Sequence, residues 1–134
     1  YLIIYSGNTK IGITGIGAKT THKEIVYKDP IAALNKVAKI LKLEQHCDKV
    51  ICLADLGFDK TEELNNLVLA QSSANVDIIV GAGENPSQAT AWSYRNTEKQ
   101  EVLISANKSE QRHTNLLQLN FNNNQTLNFN TKNI

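Results

Sequence analysis

Two short segments of almost continuously apolar residues place the strongest limit on how this chain can fold. They are residues 49–54 and 76–80, in which Lys49 and Asp77 are the only charged residues. Successive residues of a strand point to opposite faces of its sheet, so each of these strands needs cover on both faces. The pattern is typical of central parallel strands in an α/β protein.

The connections before these strands have the pattern of helices. Asp29-Pro30 predicts a helix start, because Asp accepts a free backbone N–H and Pro loses no bond at the first position. Apolar residues then recur at three- and four-residue spacing, which predicts a buried face: Ile31, Leu34, Val37, Ala38 and Leu41. Asp59 and Glu62, at capping-box-like spacing, precede a second such set: Leu64, Leu67, Val68 and Ala70.

The two ends of the chain consist of shorter strand patterns. Residues 1–5 and 10–14 are rich in β-branched and aromatic residues and flank the turn sequence Ser-Gly-Asn-Thr, which predicts a hairpin. Short antiparallel strands are predicted after the core at residues 91–94, 101–105, 116–121 and 126–129. The sequence therefore predicts one α/β domain over residues 1–134, with a β-α-β-α-β core followed by short antiparallel strands.

Composition excludes several classes of partner. The net charge is +1 and the aromatic content is 6%, which gives no basis for expecting nucleic acid. No apolar run approaches the ~20 residues that span a bilayer. Cys47 and Cys52 lie too far apart along a strand to form a disulfide, so the redox compartment stays open. The chain has no methionine, so either a leader has been removed or Tyr1 is an artificial boundary.

Polar side chains that could bind a ligand follow the two apolar strands. Asp55 comes directly after the first strand, and Glu84 and Asn85 follow the second. The carboxyl ends of neighbouring parallel strands meet at one edge, where open α/β sheets bind ligands. One interpretation is a site for a hard cation. The other is that these are solvated loop residues, with Asp55 or Asp59 capping the next helix.

Glycines at the same edge allow further interpretations. Residues 81–86 could cradle a phosphate, although a Gly-x-Gly is more simply a tight turn when no Lys-Ser/Thr pair follows. A module that binds a small molecule, a nucleoside or a sugar phosphate, would use Gly57, Gly83 and Asn85. Residues 46–48, His-Cys-Asp, could include metal ligands or form an ordinary loop.

Several segments, taken in order, resemble the metallophosphatases of the 5′-nucleotidase and UDP-sugar hydrolase type. Residues 48–57 are similar to a family strand that usually ends in Ser-His-Leu-Gly, and residues 75–83 to one that runs into Gly-Gly-His-Ser-His. The resemblance implies the second half of a calcineurin-like domain, which is a four-layer αββα sandwich. Other segments that resemble the family are residues 1–4, 10–15, 27–33, 101–106 and 116–121.

The departures from the family pattern fall on its metal ligands. Asp55 stands where the family has a metal-binding histidine, and Gly83 and Asn85 stand where it has two more. The family's earlier motifs, Asp-x-His and Gly-Asn-His-Asp, are absent from the chain. Glycine offers no side-chain ligand and asparagine is a weak ligand for a transition metal. We therefore expect no catalytic residue and no bound cofactor in this chain alone.

The resemblance implies a non-catalytic or partner-dependent 5′-nucleotidase-like domain. A half-domain would expose the apolar surface that its other half buries, so we expect a homo-oligomer or a complex with a separately encoded first half. When complemented in this way, the domain would be a phosphohydrolase that acts on nucleoside monophosphates with Mn²⁺ or Zn²⁺. The family resemblance also implies a periplasmic, secreted or cell-envelope location.

Overall fold

The computed structural model describes residues 1–20, 22–82, 91–106, 115–121 and 127–133. Its elements, in chain order, are β1 (Leu2–Ser6), β2 (Thr9–Ile16), α1 (Pro30–Lys39), a π-helical turn (Ile40–Glu44), β3 (Lys49–Ala54), α2 (Asn66–Ser72), β4 (Ile78–Gly81), β5 (Ala91–Arg95), β6 (Glu101–Ala106), β7 (Asn115–Phe121) and β8 (Leu127–Asn133).

Six of the described strands form one mixed sheet in the order β1-β2-β3-β4-β6-β5. The four inner strands are parallel to one another, and the outer strands β1 and β5 are antiparallel to their neighbours. Strands β7 and β8 pair with each other in a separate two-stranded sheet. The predicted hairpin and β-α-β-α-β core are confirmed.

The last strands differ from the prediction of an antiparallel set that follows the core. β6 lies beside β4 and runs parallel to it, with Ile78 opposite Leu103, so it is a fourth parallel strand of the core. Val102 and Ile104 of β6 are fully buried, and this burial favours a central position in the sheet. The antiparallel prediction is correct for β5 against β6 and for β7 against β8.

α1 begins as the sequence predicts. The Asp29 carboxylate accepts hydrogen bonds from the backbone N–H groups of Ile31 and Ala32 at 2.9 and 3.2 Å, and Pro30 is the first helical residue. The π-helical turn that follows brings Leu41 onto β2 at Gly12. A Cβ atom at position 12 would lie 2.8 Å from Leu41 Cδ2, so glycine permits this close approach.

α2 begins at a different cap from the predicted one. Asn65 is the N-cap, and its Oδ1 accepts from the N–H groups of Leu67 and Val68 at 2.9 and 3.0 Å. Asp59 instead accepts from Thr61 in an earlier turn, so the prediction of a capping box from Asp59 is wrong. In the described part of the chain, no helix has the length and apolar character needed to cross a membrane.

One face of the six-stranded sheet packs against both helices and forms the core. Alternate residues of the inner strands point to this face, including Val50, Cys52 and Ile79. They form one buried cluster with the inner sides of the helices, including Leu34 of α1 and Leu69 of α2. The core therefore lies between the sheet and a single layer of helices.

The opposite face of the sheet exposes apolar side chains. Leu2 is 59% exposed and Leu53 is 52% exposed, whereas Ile78 and Leu103, on the same face near β6, are buried. The sequence predicts cover on both faces, and the described residues provide it on this face only in part, near β6 and at Ile11 of β2, which is 7% exposed. We call the uncovered part the open face and define it by six residues whose side chains share one side of the sheet: Leu2, Ile4, Ile13, Ile51, Leu53 and Val80.

Candidate functional site

The carboxyl ends of β3 and β4 lie side by side and form the candidate site. Ala54, the last residue of β3, is opposite Gly81, the last residue of β4. The backbone N–H of Ala82 donates to the Ala54 carbonyl at 2.7 Å, which continues the pairing past the end of β4. The residues that follow the two strands, Asp55 and Ala82, are therefore neighbours at this edge.

Asp55 has an exposed side chain and a fixed backbone. Its N–H donates to the carbonyl of Ile16 at 2.9 Å, so the chain stays attached to β2 after β3 has ended. Because α2 is capped by Asn65, Asp55 does not cap that helix, and neither does Asp59. The interpretation of Asp55 as a helix cap is wrong.

Gly57 turns the chain back across the end of β4. Its φ is +65°, in the region that glycine adopts most readily. Its N–H donates to the Ala82 carbonyl at 3.2 Å, and its own carbonyl accepts from the N–H of Asn66 at 2.9 Å. Gly57 thus joins the loop after β3 to the end of β4 and to the start of α2.

Asn66 is a site residue that the sequence reasoning missed. Its side chain is fully buried, and its Nδ2 donates to the Ala82 carbonyl at 3.1 Å. Gly81 makes room for this contact, since a Cβ atom there would lie 2.6 Å from Asn66 Nδ2 and 2.7 Å from Phe58 Cζ. The one signal in the sequence was the pair Asn65-Asn66 at the start of a helix. A helix cap explains one of these two residues and leaves the other without an explanation.

The Oδ1 atom of Asn66 has no hydrogen-bond partner among the described residues. Its orientation is set by Ala82, whose carbonyl can accept only from the amide nitrogen, so a flipped amide would place two acceptors together. A buried acceptor of this kind costs free energy unless a donor satisfies it.

A contact between two aromatic rings lies next to the Gly57 loop. Phe58 is 2% exposed and lies with its centroid 5.7 Å from that of Trp92 on β5, at an interplanar angle of 57°. Trp92 and Tyr94 both pack against the core cluster, so these aromatic residues contribute to the core. The aromatic contact thus connects the Gly57 loop to β5, the outer strand of the sheet.

The structure describes some of the predicted ligand-binding residues and not others. Asp55 and Gly57 lie at this edge, whereas Gly83, Glu84 and Asn85 lie outside the described residues. In the described part of the chain, no three side chains of His, Cys, Asp or Glu come together as a metal-binding group. A single exposed carboxylate cannot hold the pair of cations that a dinuclear phosphatase uses, so the described residues do not fit such a centre.

An ion-pair cluster lies at the other end of the strands, at the amino ends of β3 and β4. Lys42 Nζ lies 2.8 Å from Asp77 Oδ2, and Lys49 Nζ lies 3.5 Å from Asp77 Oδ1. The Asp77 carboxylate also accepts from the N–H of Val50 at 2.7 Å. An open pocket of about 410 Å³ lies beside this cluster, with Gln100 on its wall. These contacts hold the amino ends of β3 and β4 together.

Residues 46–48 form a loop next to that cluster. His46 is exposed with a φ of +54°, Cys47 is buried, and Asp48 Oδ2 accepts from the N–H of Lys10 at 2.7 Å. Cys47 and Cys52 are both free and buried, and burial raises the pKa of Cys52 to about 12. The three residues 46–48 have separate surroundings, which supports the loop interpretation over that of a metal site.

Comparison with known proteins bears on the fold. No protein-family model matches the chain, and no curated protein does. Among solved structures, the chain is similar to the NAD nucleotidase NadN of Haemophilus influenzae, with a TM-score of 0.74 at 20% sequence identity over 98% of this chain. It is equally similar to the 5′-nucleotidase precursor of Thermus thermophilus, with a TM-score of 0.74 at 21% identity over 100% of this chain.

The fold of this chain is that of a segment of a 5′-nucleotidase. The match covers 29% of each of these two proteins, so most of each has no counterpart here. The resemblance seen in the sequence is confirmed at the level of the fold. The six-stranded sheet with helices on one face is consistent with the second half of a metallophosphatase sandwich.

Proposed function

We propose that this chain is a 5′-nucleotidase-like domain that lacks its metal ligands and does not hydrolyse phosphoesters on its own. The observation that carries the proposal is Asp55. It directly follows β3, at the position where the family resemblance places a metal-binding histidine, and its side chain is exposed. The described loops around it contribute glycine, alanine and a buried amide, none of which is a strong ligand for a transition metal.

The chemistry of the family explains why this change matters. Two cations held a few Å apart generate the attacking hydroxide and stabilise the leaving oxygen. Their ligands must come from several loops, and the sequence at residues 83–85 is Gly-Glu-Asn where the family has His-Ser-His. The hydrogen bonds among Gly57, Asn66 and Ala82 keep the backbone of this edge in place. The domain would thus retain the scaffold of the site without its chemistry.

The open face supports dependence on a partner. Its exposed apolar residues lie on strands whose composition is typical of strands that are covered on both sides. Leu53 and Val80, the exposed residues of the two central strands, are 52% and 36% exposed. The solved structures that share this fold contain further polypeptide, because the match covers 29% of each. We therefore assign the open face to a β-sheet supplied by the first half of a metallophosphatase domain.

This assignment also defines the second candidate function. If a first half supplied ligands from its own loops, Asp55 could join them, and the complex would be a phosphohydrolase of nucleoside monophosphates that uses Mn²⁺ or Zn²⁺. Carboxylates are ordinary ligands for Mn²⁺. A location in the periplasm or cell envelope belongs to the same proposal, since the Thermus thermophilus protein is named as a precursor.

A turnover measurement tests the proposal. The purified chain is assayed with a nucleoside monophosphate and added Mn²⁺ or Zn²⁺, together with the variants Asp55→Ala and Glu24→Ala. Glu24 is an exposed carboxylate in the loop before α1 and serves as the matched control. We expect no turnover from any of the three. Turnover that is lost in Asp55→Ala and kept in Glu24→Ala would refute the proposal.

A further inference from the structure

The outer edge of β1 has no strand partner among the described residues. The sequence of β1, Leu-Ile-Ile-Tyr-Ser, contains no charge and no proline. Its five residues pair with β2 in unbroken register, without a bulge. Soluble proteins usually protect an outer strand with a charge, a proline, a bulge or very short length, because free backbone groups pair with other chains. The described structure gives β1 none of the first three.

The other outer strand, β5, has such protection. It ends in Arg95, which lies opposite Glu101 of β6, so the edge carries charge. Two of its side chains, Trp92 and Tyr94, pack against the core. One side chain of β1, Ile3, also packs against the core, but its neighbours Leu2 and Tyr5 are 59% and 69% exposed. The two edges of the sheet are therefore not equivalent, and β1 is the one suited to pairing.

We propose that β1 pairs with the β1 strand of a second copy of this chain, so that two sheets join edge to edge in a symmetric dimer. A second copy fits because β1 carries no charge, so there is no electrostatic repulsion between the β1 strands of two copies. Antiparallel pairing about a twofold axis is also the arrangement that gives both copies the same contacts. The proposal does not depend on the proposed function, because edge pairing leaves the open face of each copy uncovered.

The hairpin turn determines which backbone groups of β1 are free. Gly7 has a φ of +59° and begins a two-residue turn, with Ser6 and Thr9 as the closing pair. The closing pair of such a turn exchanges hydrogen bonds, and bonded and non-bonded pairs then alternate along the hairpin. The backbone N–H and C=O groups of Ile3 and Tyr5 consequently point away from β2, toward the free edge.

One register satisfies both strands over their full length. Placing Ile4 opposite Ile4 of the second copy makes Leu2 face Ser6 and makes Ile3 face Tyr5, so all five residues overlap. In this register the outward backbone groups of Ile3 meet those of Tyr5 in the other copy, as an antiparallel ladder requires. Ile4 then forms a non-hydrogen-bonded pair with its own copy, at a Cα separation of about 4.5 Å.

Oxidative cross-linking tests this register. In the dimer, Ile4→Cys brings two thiols to a spacing that permits a disulfide. Tyr5→Cys is the matched control, because each Tyr5 lies opposite Ile3 and the two introduced thiols are roughly two residues apart along the ladder. We expect a covalent dimer from Ile4→Cys and none from Tyr5→Cys or from the unmodified chain, whose Cys47 and Cys52 are buried. Equal cross-linking of both variants, or none in Ile4→Cys, overturns the proposal.

Sedimentation over a range of concentrations separates the edge from the open face. Tyr5→Lys places a charge at the edge, and Leu53→Lys places one at the centre of the open face. We expect Tyr5→Lys, and Ser6→Lys as a second edge variant, to weaken dimerisation by at least about tenfold, and Leu53→Lys to leave it unchanged. A monomeric unmodified chain overturns the proposal, as does a dimer that only Leu53→Lys disrupts. Circular dichroism confirms that each variant is folded, and the turnover assay of the proposed function stays an independent measurement.

Discussion

The side-chain amide of Asn66 donates to the carbonyl oxygen of Ala82 at 3.1 Å, which fixes the start of α2 to the end of β4. The same carbonyl accepts from the N–H of Gly57 at 3.2 Å, so a single acceptor holds both the Gly57 loop and the start of α2. These contacts hold the backbone of the edge at which Asp55 is the one candidate ligand among the described residues.

The contact between Gly81 and Asn66 predicts a large effect of Gly81→Ala. The added Cβ would lie 2.6 Å from Asn66 Nδ2 and 2.7 Å from Phe58 Cζ, and both of these side chains are buried. We expect the free energy of unfolding to fall by about 1–3 kcal/mol, as measured by urea denaturation. Gly17→Ala is the control, because a Cβ there meets nothing within 4 Å, and it should change stability by less than about 0.5 kcal/mol.

Replacing Asn66 itself separates the bond to Ala82 from simple packing. Asn66→Ala removes a buried hydrogen bond and leaves the Ala82 carbonyl with one donor, so we expect a loss of about 1–3 kcal/mol. Asn66→Asp should lose more, since a carboxylate would face a carbonyl in a buried position. A variant Asn66→Ala as stable as the unmodified chain would show that this bond does not hold the edge together.

The same Asn66→Asp variant should have a distinct pH dependence. Burial beside an acceptor raises the pKa of the introduced carboxyl in the folded state above its unfolded value of about 3.9. The folded state then binds more protons, so the stability difference from the unmodified chain grows as pH rises from that value toward the folded pKa. Denaturation of both proteins at a series of pH values measures this difference, and a pH-independent difference would contradict it.

Asp59 provides a test of the turn before α2. The backbone N–H and the hydroxyl of Thr61 donate to its carboxylate, each at 2.8 Å, and they lower its pKa. Thr61→Ala removes only the hydroxyl bond, so we expect the pKa of Asp59 to rise while staying below its ordinary value. The stabilisation from this turn is present at neutral pH and is lost as pH falls through the lowered pKa. An NMR titration follows the Asp59 carboxyl, and Thr61→Ser should keep the lower value.

The buried thiols should be unreactive in the folded chain. Burial raises the pKa of Cys52 to about 12, so little thiolate forms at neutral pH, and Cys47 is 4% exposed. We expect neither to react with a thiol reagent until denaturant is added, when both should react. Leu53→Cys, at a position that is 52% exposed, is the positive control. Rapid labelling of Cys52 in native buffer would mean that the core opens easily.

Much of the fold could be predicted from the sequence because its signals are local. The Asp29-Pro30 start of α1, the bounds of β3 and the opening hairpin follow from capping, hydrophobic patterning and turn residues. The pairing of β6 with β4 could not be predicted in this way. It depends on the order of the strands in the sheet, which local sequence signals do not determine. The cap of α2 was missed because Asp59 has the same capping chemistry as Asn65 and is used in a turn instead.

Within the candidate site, only the residues that follow the strands could be predicted from the sequence. Asp55 and Gly57 lie where the pattern of parallel strands places them. The role of Asn66 could not be read from the sequence, because it arises from the close approach of α2 to Gly81. The open face also required the structure, since the composition of β3 and β4 predicts cover that the described residues provide only in part.

A metal titration of the isolated chain measures whether its residues can hold the pair of cations that a dinuclear phosphatase uses. Mn²⁺ and Zn²⁺ are titrated calorimetrically into the unmodified chain, Asp55→Ala and Glu24→Ala, and the number of ions bound tightly per chain is measured. We expect that no tight pair of ions binds and that the three proteins behave alike. Two ions bound per chain, lost in Asp55→Ala and retained in Glu24→Ala, would contradict it.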